Sequence, residues 1–243
     1  MPAAARTMAL FEIFAREKRE LTKSEVARLL DLPESSSSDL LNTLHGLGYL
    51  SRTATTRRFY PTGRLLSTAR SIAENDVLTP FGVEATGLLA DRTGETAAFA
   101  IRDGNAIRIV AVTEGNYRLR IVIEIGDTFD LHASALGKAI LGQLDDEDMA
   151  RTLRLKPLSR LAEGTKVDPR QIEDEVRQHR ELGWYQTINE GGAGMGSLAV
   201  SGKVGDEAVA LCIVGPTERV AENLDEYRKL ILDVRSTVFE NAQ

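Results

Sequence analysis

The chain has 243 residues, 42% of them hydrophobic and 27% charged, and no run approaches the roughly 18 apolar residues that span a bilayer. A single cysteine, Cys212, excludes a disulfide framework or a Cys-rich zinc site, and His45, His132 and His179 do not stand at metal-ligand spacing, so neither metal nor cofactor is expected. The net charge of -6 argues against indiscriminate nucleic-acid binding but hides an asymmetry: residues 1–70 hold 11 Lys and Arg against 7 Asp and Glu, whereas residues 71–243 hold 19 against 29.

Met8, Leu10, Phe11, Ile13 and Phe14 recur at spacings of three and four, which predicts an amphipathic first helix. Thr22 followed by Glu25 is a capping box, in which hydroxyl and carboxylate each satisfy a backbone amide, and Val26, Leu29 and Leu30 give the second helix its apolar face. Pro33 stops that helix, because it lacks an amide hydrogen, and starts the next. The third helix carries Leu40, Leu41, Leu44 and Leu47 and is expected to end at Gly48.

Two short helices joined by a tight turn form a helix-turn-helix, whose second helix offers its N-terminal part to base edges in the major groove. That part is the run Ser35, Ser36, Ser37, Ser38, whose hydroxyls both donate and accept and so discriminate poorly between bases. A linker reading of four serines is disfavoured by the leucine stripe that follows at once. Two β-prone runs around the polar tip Thr53 to Thr56 predict a hairpin, the wing, with Arg52, Arg57 and Arg58 placed for phosphates or the minor groove. The residues assigned to double-stranded operator DNA are Thr22, Lys23, the four serines, Asn42 and these three arginines. The first part, net +4, and the remainder, net -10, are expected to meet different partners.

Beyond the wing, Gly63 to Asn75 reads as a linker helix, and a helix through Val83, Leu88 and Leu89 ends near Gly94. Strands are predicted at Thr96 to Ile101, Ala106 to Val112 and Leu119 to Ile125, helices at Ala133 to Leu144, Asp146 to Leu153 and Pro169 to Leu182. Strands resume at Trp184 to Ile188, Ser197 to Val204 and Ala208 to Val214, and an amphipathic helix from Glu222 to Phe239 closes the chain.

Four stretches resemble the isocitrate-lyase-regulator (IclR) type of bacterial transcription factor: Leu21 to Ala27 with Leu32-Pro33, Leu40 to Leu44 running into Leu47-Gly48-Tyr49-Leu50, Leu131 to Ala139, and Gly215 to Val220. The resemblance implies an α+β chain with three parts: a winged helix-turn-helix over residues 1–62, a linker helix over 63–77, and a GAF/PAS-like effector-binding domain with an antiparallel sheet over 78–243. It also implies a homodimer or dimer of dimers that senses a small molecule. Members of the family usually place basic residues after the Leu-Pro pair and before the Leu-Leu pair; here stand Glu34 and Asp39. Glu34 complements a helix N-terminus, but Asp39 facing DNA would repel phosphates unless it accepts from a cytosine amino group. Weaker, salt-sensitive binding that leans on the wing is the expected consequence.

By the same resemblance the effector site is Ser134, Ala135, Leu136 and Gly137 at a helix start, with Thr187, Ser197, Cys212 and Val214 where some relatives carry more polar residues. Helix-start amides suit a carboxylate, and the reduced polarity favours an organic or aromatic acid over a compact metabolite such as glyoxylate. The glycine-rich stretch Gly191 to Gly196 lacks the Gly-Lys-Ser/Thr ending of a phosphate loop and is expected to be a mobile loop beside the pocket. Cys212, inside an apolar strand, reads as a buried small hydrophobe rather than a reactive thiol. His132 and Ser134 lack the strand-turn elbow of a nucleophilic serine, so an enzyme is not expected. A small-ester hydrolase and a winged-helix adaptor that binds protein are the rival readings. With no membrane partner and no signal-peptide core, a cytoplasmic protein is expected.

Overall fold

The structure, a computed structural model, describes residues 2–73 and 76–239. Glu74 and Asn75, at the end of the predicted linker helix, and the termini of the two expected domains lie outside the described residues. The chain divides into two compact units, residues 1–76 and 77–243.

In the first unit, α1 (Ala3–Glu17), α2 (Lys23–Leu29) and α3 (Glu34–Gly46) precede a hairpin of β1 (Leu50–Arg52) and β2 (Phe59–Pro61), followed by α4 (Gly63–Ala73). Leu10, Ile13, Phe14, Val26, Leu41 and Leu44 from three helices meet Leu50 and Phe59 of the hairpin in one core. Leu21 exchanges two backbone hydrogen bonds with Phe59, at 2.8 and 3.0 Å, which adds a third short edge to the wing. α3 ends at Gly46, two residues before the predicted stop; Gly48 instead takes φ +78° in the turn into β1, a backbone state that glycine enters without strain.

The start of α2 is the predicted capping box: the Glu25 amide donates to Thr22 Oγ1 at 3.2 Å, and the Thr22 amide to Glu25 Oε2 at 2.8 Å. The Thr22 amide, with Arg19 and the Thr22 hydroxyl adding to it, lowers the Glu25 carboxyl from 4.5 to about 2. A folded value below the unfolded one stabilises above about 4.5, and that share is lost as pH falls towards 2. Thermal unfolding of wild type between pH 5 and 2 should therefore fall more steeply than that of Glu25→Gln, whose side chain does not titrate; parallel curves would refute the linkage.

The second unit is a six-stranded antiparallel sheet in the order β5-β4-β3-β8-β7-β6. Its strands are β3 (Thr96–Asp103), β4 (Ala106–Thr113), β5 (Thr128–Asp130), β6 (Tyr185–Ile188), β7 (Met195–Val204) and β8 (Glu207–Pro216). The period of two sorts the strands between two cores. Ala98, Ala100, Ile107, Ile109, Ala199, Ala210 and Cys212 face α6 (Ala135–Leu141), α7 (Asp146–Arg154) and α8 (Pro169–Leu182). Ala97, Phe99, Leu198, Val200, Leu211 and Ile213 face α5 (Leu78–Thr93) and α10 (Leu224–Phe239). Both faces are thus covered by helices, which is why the central strands β3 and β8 are almost wholly buried.

The segment Leu119 to Ile125, predicted as a strand, belongs to no strand, and the sheet edge is formed by β5 instead. Ile121 and Ile123 turn into the core with Val122 facing outwards between them, while Leu119 and Ile125, of the same parity as the buried pair, are exposed, so the alternation holds only at the centre of the segment. The backbone, however, is held by side chains, with Thr96 Oγ1 donating to the Ile121 carbonyl at 2.7 Å. The predicted closing helix is α10, and it is preceded by a short helix that the sequence pattern did not indicate, α9 (Thr217–Glu222), which stops at Asn223, whose side-chain amide donates to the Arg219 carbonyl at 2.9 Å.

Candidate functional site

On α3, Ser35, Asp39 and Asn42 lie at intervals of four and three and are exposed, forming one polar stripe; Ser36 and Ser38 are half-buried beside it. Ser37 departs from the expectation. It is fully buried, and its hydroxyl donates to the Lys23 carbonyl at 3.3 Å, so it packs α3 onto α2 and does not reach outwards. Its place in the helical period, four residues before Leu41 on the core side, accounts for this. Glu34 accepts from Ser24 Oγ at 2.9 Å, a tie across the turn between the two helices. Asp39 forms no ion pair among the described residues and stands in the middle of the exposed stripe.

The remaining residues assigned to DNA divide by their neighbours. Lys23 is exposed at the start of α2, and the Thr22 hydroxyl is engaged in the cap. Arg57 is exposed at the wing tip in a left-handed conformation, φ 51°. Arg52 lies over the Phe59 ring, 5.3 Å from its centroid, and Arg58 donates to the Glu20 carbonyl and to Glu25 Oε2, at 3.3 and 3.4 Å. Arg58 thus braces the wing against the α2 side of its unit and Arg52 stacks within the hairpin, whereas Arg57 has no such contact among the described residues.

In the second unit, Ser134, Ala135, Leu136, Thr187, Ser197, Cys212 and Val214 line one cavity of about 60 Å³ between α6 and the sheet. Gly137 does not line it. A Cβ at Gly137 would stand 2.4 Å from the Leu131 carbonyl oxygen, and its amide donates to Ser134 Oγ at 3.0 Å, so the glycine serves close packing and the helix cap. Sequence reasoning did not assign Ile123, Phe129, Ala133, Gly191 and Met195, which complete the wall. The polar groups are few: Thr187 Oγ1 and Ser197 Oγ share a 2.8 Å hydrogen bond across β6 and β7, and Ser134 Oγ donates to the Asp130 carbonyl. Burial pushes the Cys212 thiol up to about 12, which keeps it protonated and unreactive at neutral pH. His132 Nε2 is bonded to the Ser159 carbonyl at 2.9 Å, so imidazole and Ser134 hydroxyl are each committed to other partners.

The glycine-rich loop beside this cavity is held on both sides. Asn189 Oδ1 accepts from the Gly194 amide at 2.7 Å and from Thr217 Oγ1 at 3.0 Å, and the Thr217 amide donates to the Gly194 carbonyl at 2.9 Å. The expected mobile loop is a pinned turn. At its start, Glu190 is buried and bonded through both carboxylate oxygens, each at 2.8 Å, to Nζ of Lys138, itself wholly buried on α6. Lys138 also donates to Glu175 at 2.9 Å, and Lys166 donates to Glu175 at 2.8 Å. The charges balance, two against two, so the buried Lys138 and Glu190 are both compensated. The signal available in the sequence was one lysine inside the apolar run Ala135 to Leu141.

Residues 3–54 match the model of the IclR helix-turn-helix domain, and residues 72–238 match that of the bacterial transcriptional regulator IclR C-terminal domain. The chain belongs to the IclR family of bacterial transcriptional regulators. Among its relatives is the HTH-type transcriptional repressor AllR of Escherichia coli K12, 27% identical over 224 residues, 91% of this chain and 82% of AllR. Two solved structures share the fold. The IclR of Thermotoga maritima superimposes with a TM-score of 0.81 at 18% identity, covering 98% of both chains. An IclR homolog of Microbacterium hydrocarbonoxydans, complexed with 4-hydroxybenzoate, gives 0.65 at 21% identity, covering 97% of this chain and 100% of that one. The IclR-family assignment makes the first unit a DNA-binding helix-turn-helix. No helix among the described residues is long and apolar enough to cross a membrane, and none of them forms a His, Cys, Asp and Glu group able to hold a metal ion.

Proposed function

We propose that the chain is an effector-controlled regulator that grips a pseudo-palindromic operator as a homodimer or dimer of dimers, through the exposed stripe of α3 and the wing. Two recognition helices about 34 Å apart would read successive half-sites. The observation that carries the DNA reading is the stripe Ser35, Asp39, Asn42 together with Arg57 on one helix-turn-helix. Lys23 and the flanking Ser36 and Ser38 would add backbone contacts, while Thr22, Arg52 and Arg58 hold the frame that presents them.

The effector would occupy the cavity under α6. Its apolar walls and the single Thr187–Ser197 hydroxyl pair favour a small organic acid with an apolar or aromatic body, and the Microbacterium relative's 4-hydroxybenzoate is such a molecule. The pocket volume, about 60 Å³, is well below that of drug-sized sites, which favours a small effector. Effector binding would bias the operator-competent arrangement by about 1–3 kcal/mol of coupling. With His132 and Ser134 each bonded to a backbone carbonyl, regulation rather than catalysis is the reading that this cavity supports.

A gel shift of the full chain against its own upstream region, over a range of salt, tests the proposal. Retention of that fragment over random duplex, weakening steeply with salt, is expected; equal retention of both would sink the DNA reading. Asp39→Arg removes a negative charge from the groove-facing stripe and adds a phosphate partner, so operator binding should tighten about tenfold. An unchanged or weaker affinity would place Asp39 in direct base recognition instead.

A further inference from the structure

α6 begins at the effector cavity and ends at a second, larger one. Gly142, just past its last turn, and Gln143 border a concavity of about 270 Å³ on the same unit. Three cationic side chains, Arg180, Lys203 and Arg235, line it, and no acidic side chain does. That clustering stands out in a span, residues 71–243, whose net charge is -10. A concave surface lined by one sign of charge concentrates counter-ions of the other.

The three cations differ in what they have left to offer. Arg180 is committed to the end of α6: Nε donates to the Gly142 carbonyl and one terminal nitrogen to the Leu144 carbonyl, both at 2.9 Å, while the other meets Asp146 at 3.1 Å. Arg235 spends only Nε, on the Ser201 carbonyl at 3.1 Å, so the far edge of its fork has no partner among the described residues. The Lys203 ammonium likewise has none. Ser201 and the buried Tyr185 line the same hollow, and the Tyr185 phenol oxygen sits so close to Gly142 that a Cβ there would fall 1.7 Å from it. A guanidinium fork, a point charge and two hydroxyls therefore converge on one polar hollow.

We propose that this hollow is a second ligand site, distinct from the effector cavity, for a small phosphate monoester. Arg235 would take two oxygens of the phosphate in parallel hydrogen bonds and Lys203 the third, with Ser201 and Tyr185 marking the inner wall. The volume exceeds what a bare phosphate fills, so the organic part of an ester is accommodated as well. Tyr185 stands two residues before Thr187 on β6, and Gly142 terminates the helix that Ser134 caps, so both cavities share the same strand and the same helix. The site does not depend on the operator reading.

The test is a calorimetric titration of the full chain at fixed ionic strength with glycerol 1-phosphate, inorganic phosphate and succinate, on wild type and on Lys203→Gln/Arg235→Gln. Saturable binding of the ester at one per chain, inorganic phosphate weaker and competing with it, succinate weaker still, and at least tenfold loss in the double variant are expected. Both substituted side chains are exposed, so unfolding midpoints should match; Lys203→Gln alone should weaken binding in the same direction if they do not. Absence of saturable phosphate binding, equal affinity in the variants, which would locate the anion elsewhere, or succinate binding as tightly as the ester would each overturn the proposal.

Discussion

Lys138→Met is expected to destabilise the second unit by about 3–5 kcal/mol, the usual consequence of removing one partner from a buried ion pair. Methionine fills most of the volume but leaves Glu190, 3% exposed, without the ammonium that both of its oxygens contact. At about 2–4 °C per kcal/mol for a domain of this size, the unfolding midpoint should fall by roughly 10 °C. Adding Glu190→Gln and Glu175→Gln to Lys138→Met removes the stranded charges and should recover a large part of the loss. A drop in the single variant below about 1 kcal/mol would show that the carboxylates find other partners or water. The rest of the network sets the pH range over which it holds. Burial pushes Glu175 up, but Lys138 and Lys166 together leave it below its ordinary value; burial likewise pulls Lys166 down, and its bond to Glu175 with the charges of both glutamates leaves it raised. Glu175 accordingly contributes above about 4.5 and fails as pH falls below it, whereas Lys166 contributes below about 10.5 and fails only as pH rises past it. The tie between α6 and the loop at Gly191 is thus intact across the neutral range, so these two walls of the cavity under α6 are held to each other.

What was legible in the sequence follows from which interactions are local. The Thr22–Glu25 cap and the bounds Pro169 and Gly183 around α8 depend on residues within a turn of each other, and the elements stand where those residues place them. Seven of the eight residues assigned to the effector site by resemblance line one cavity, because a strand's period and a helix start carry their side chains to known faces. The departures lie where distant residues decide. Leu119 to Ile125 has the alternation of a strand, but its backbone partner is a side chain from β3, which no local pattern encodes. Ser37 looks like its three neighbours, yet the register of Leu41 and Leu44 turns it inwards against Lys23. Gly137 matched a ligand-contacting motif, whereas its role is set by Leu131 passing 2.4 Å from where a side chain would begin. Lys138 was the most informative residue left unread. Its carboxylate partners are 37 and 52 residues further along the chain, beyond the reach of any periodicity argument.

The second large effect concerns the opposite wall of the cavity. Arg219, in the first turn of α9, donates to both oxygens of Glu95, which is wholly buried, with the terminal nitrogen at 2.7 Å from Oε2. The same nitrogen donates to the Leu119 carbonyl at 3.0 Å, and the guanidinium lies 3.9 Å from the centroid of the Tyr117 ring. One side chain therefore joins the end of β8, the start of β3 and the extended segment whose Ile123 lines the cavity. The bond with Glu95 raises Arg219 further above its already high value, so the guanidinium stays charged. Arg219→Met should cost about 3–5 kcal/mol, since Glu95 is left buried and unpaired. Glu95→Gln, which keeps a hydrogen-bond acceptor for the guanidinium, should cost less. Amide hydrogen exchange separates this pin from a merely global effect. In Arg219→Met, compared with wild type at matched global stability, residues 117–123 should lose protection while β7 and β8 keep theirs. Uniform loss across the unit would mean that the segment is held by Ile121 and Ile123 packing alone. Local loss would show that one wall of the cavity under α6 is fixed by a charge pair and not by sheet hydrogen bonds, and can therefore move without unravelling the sheet.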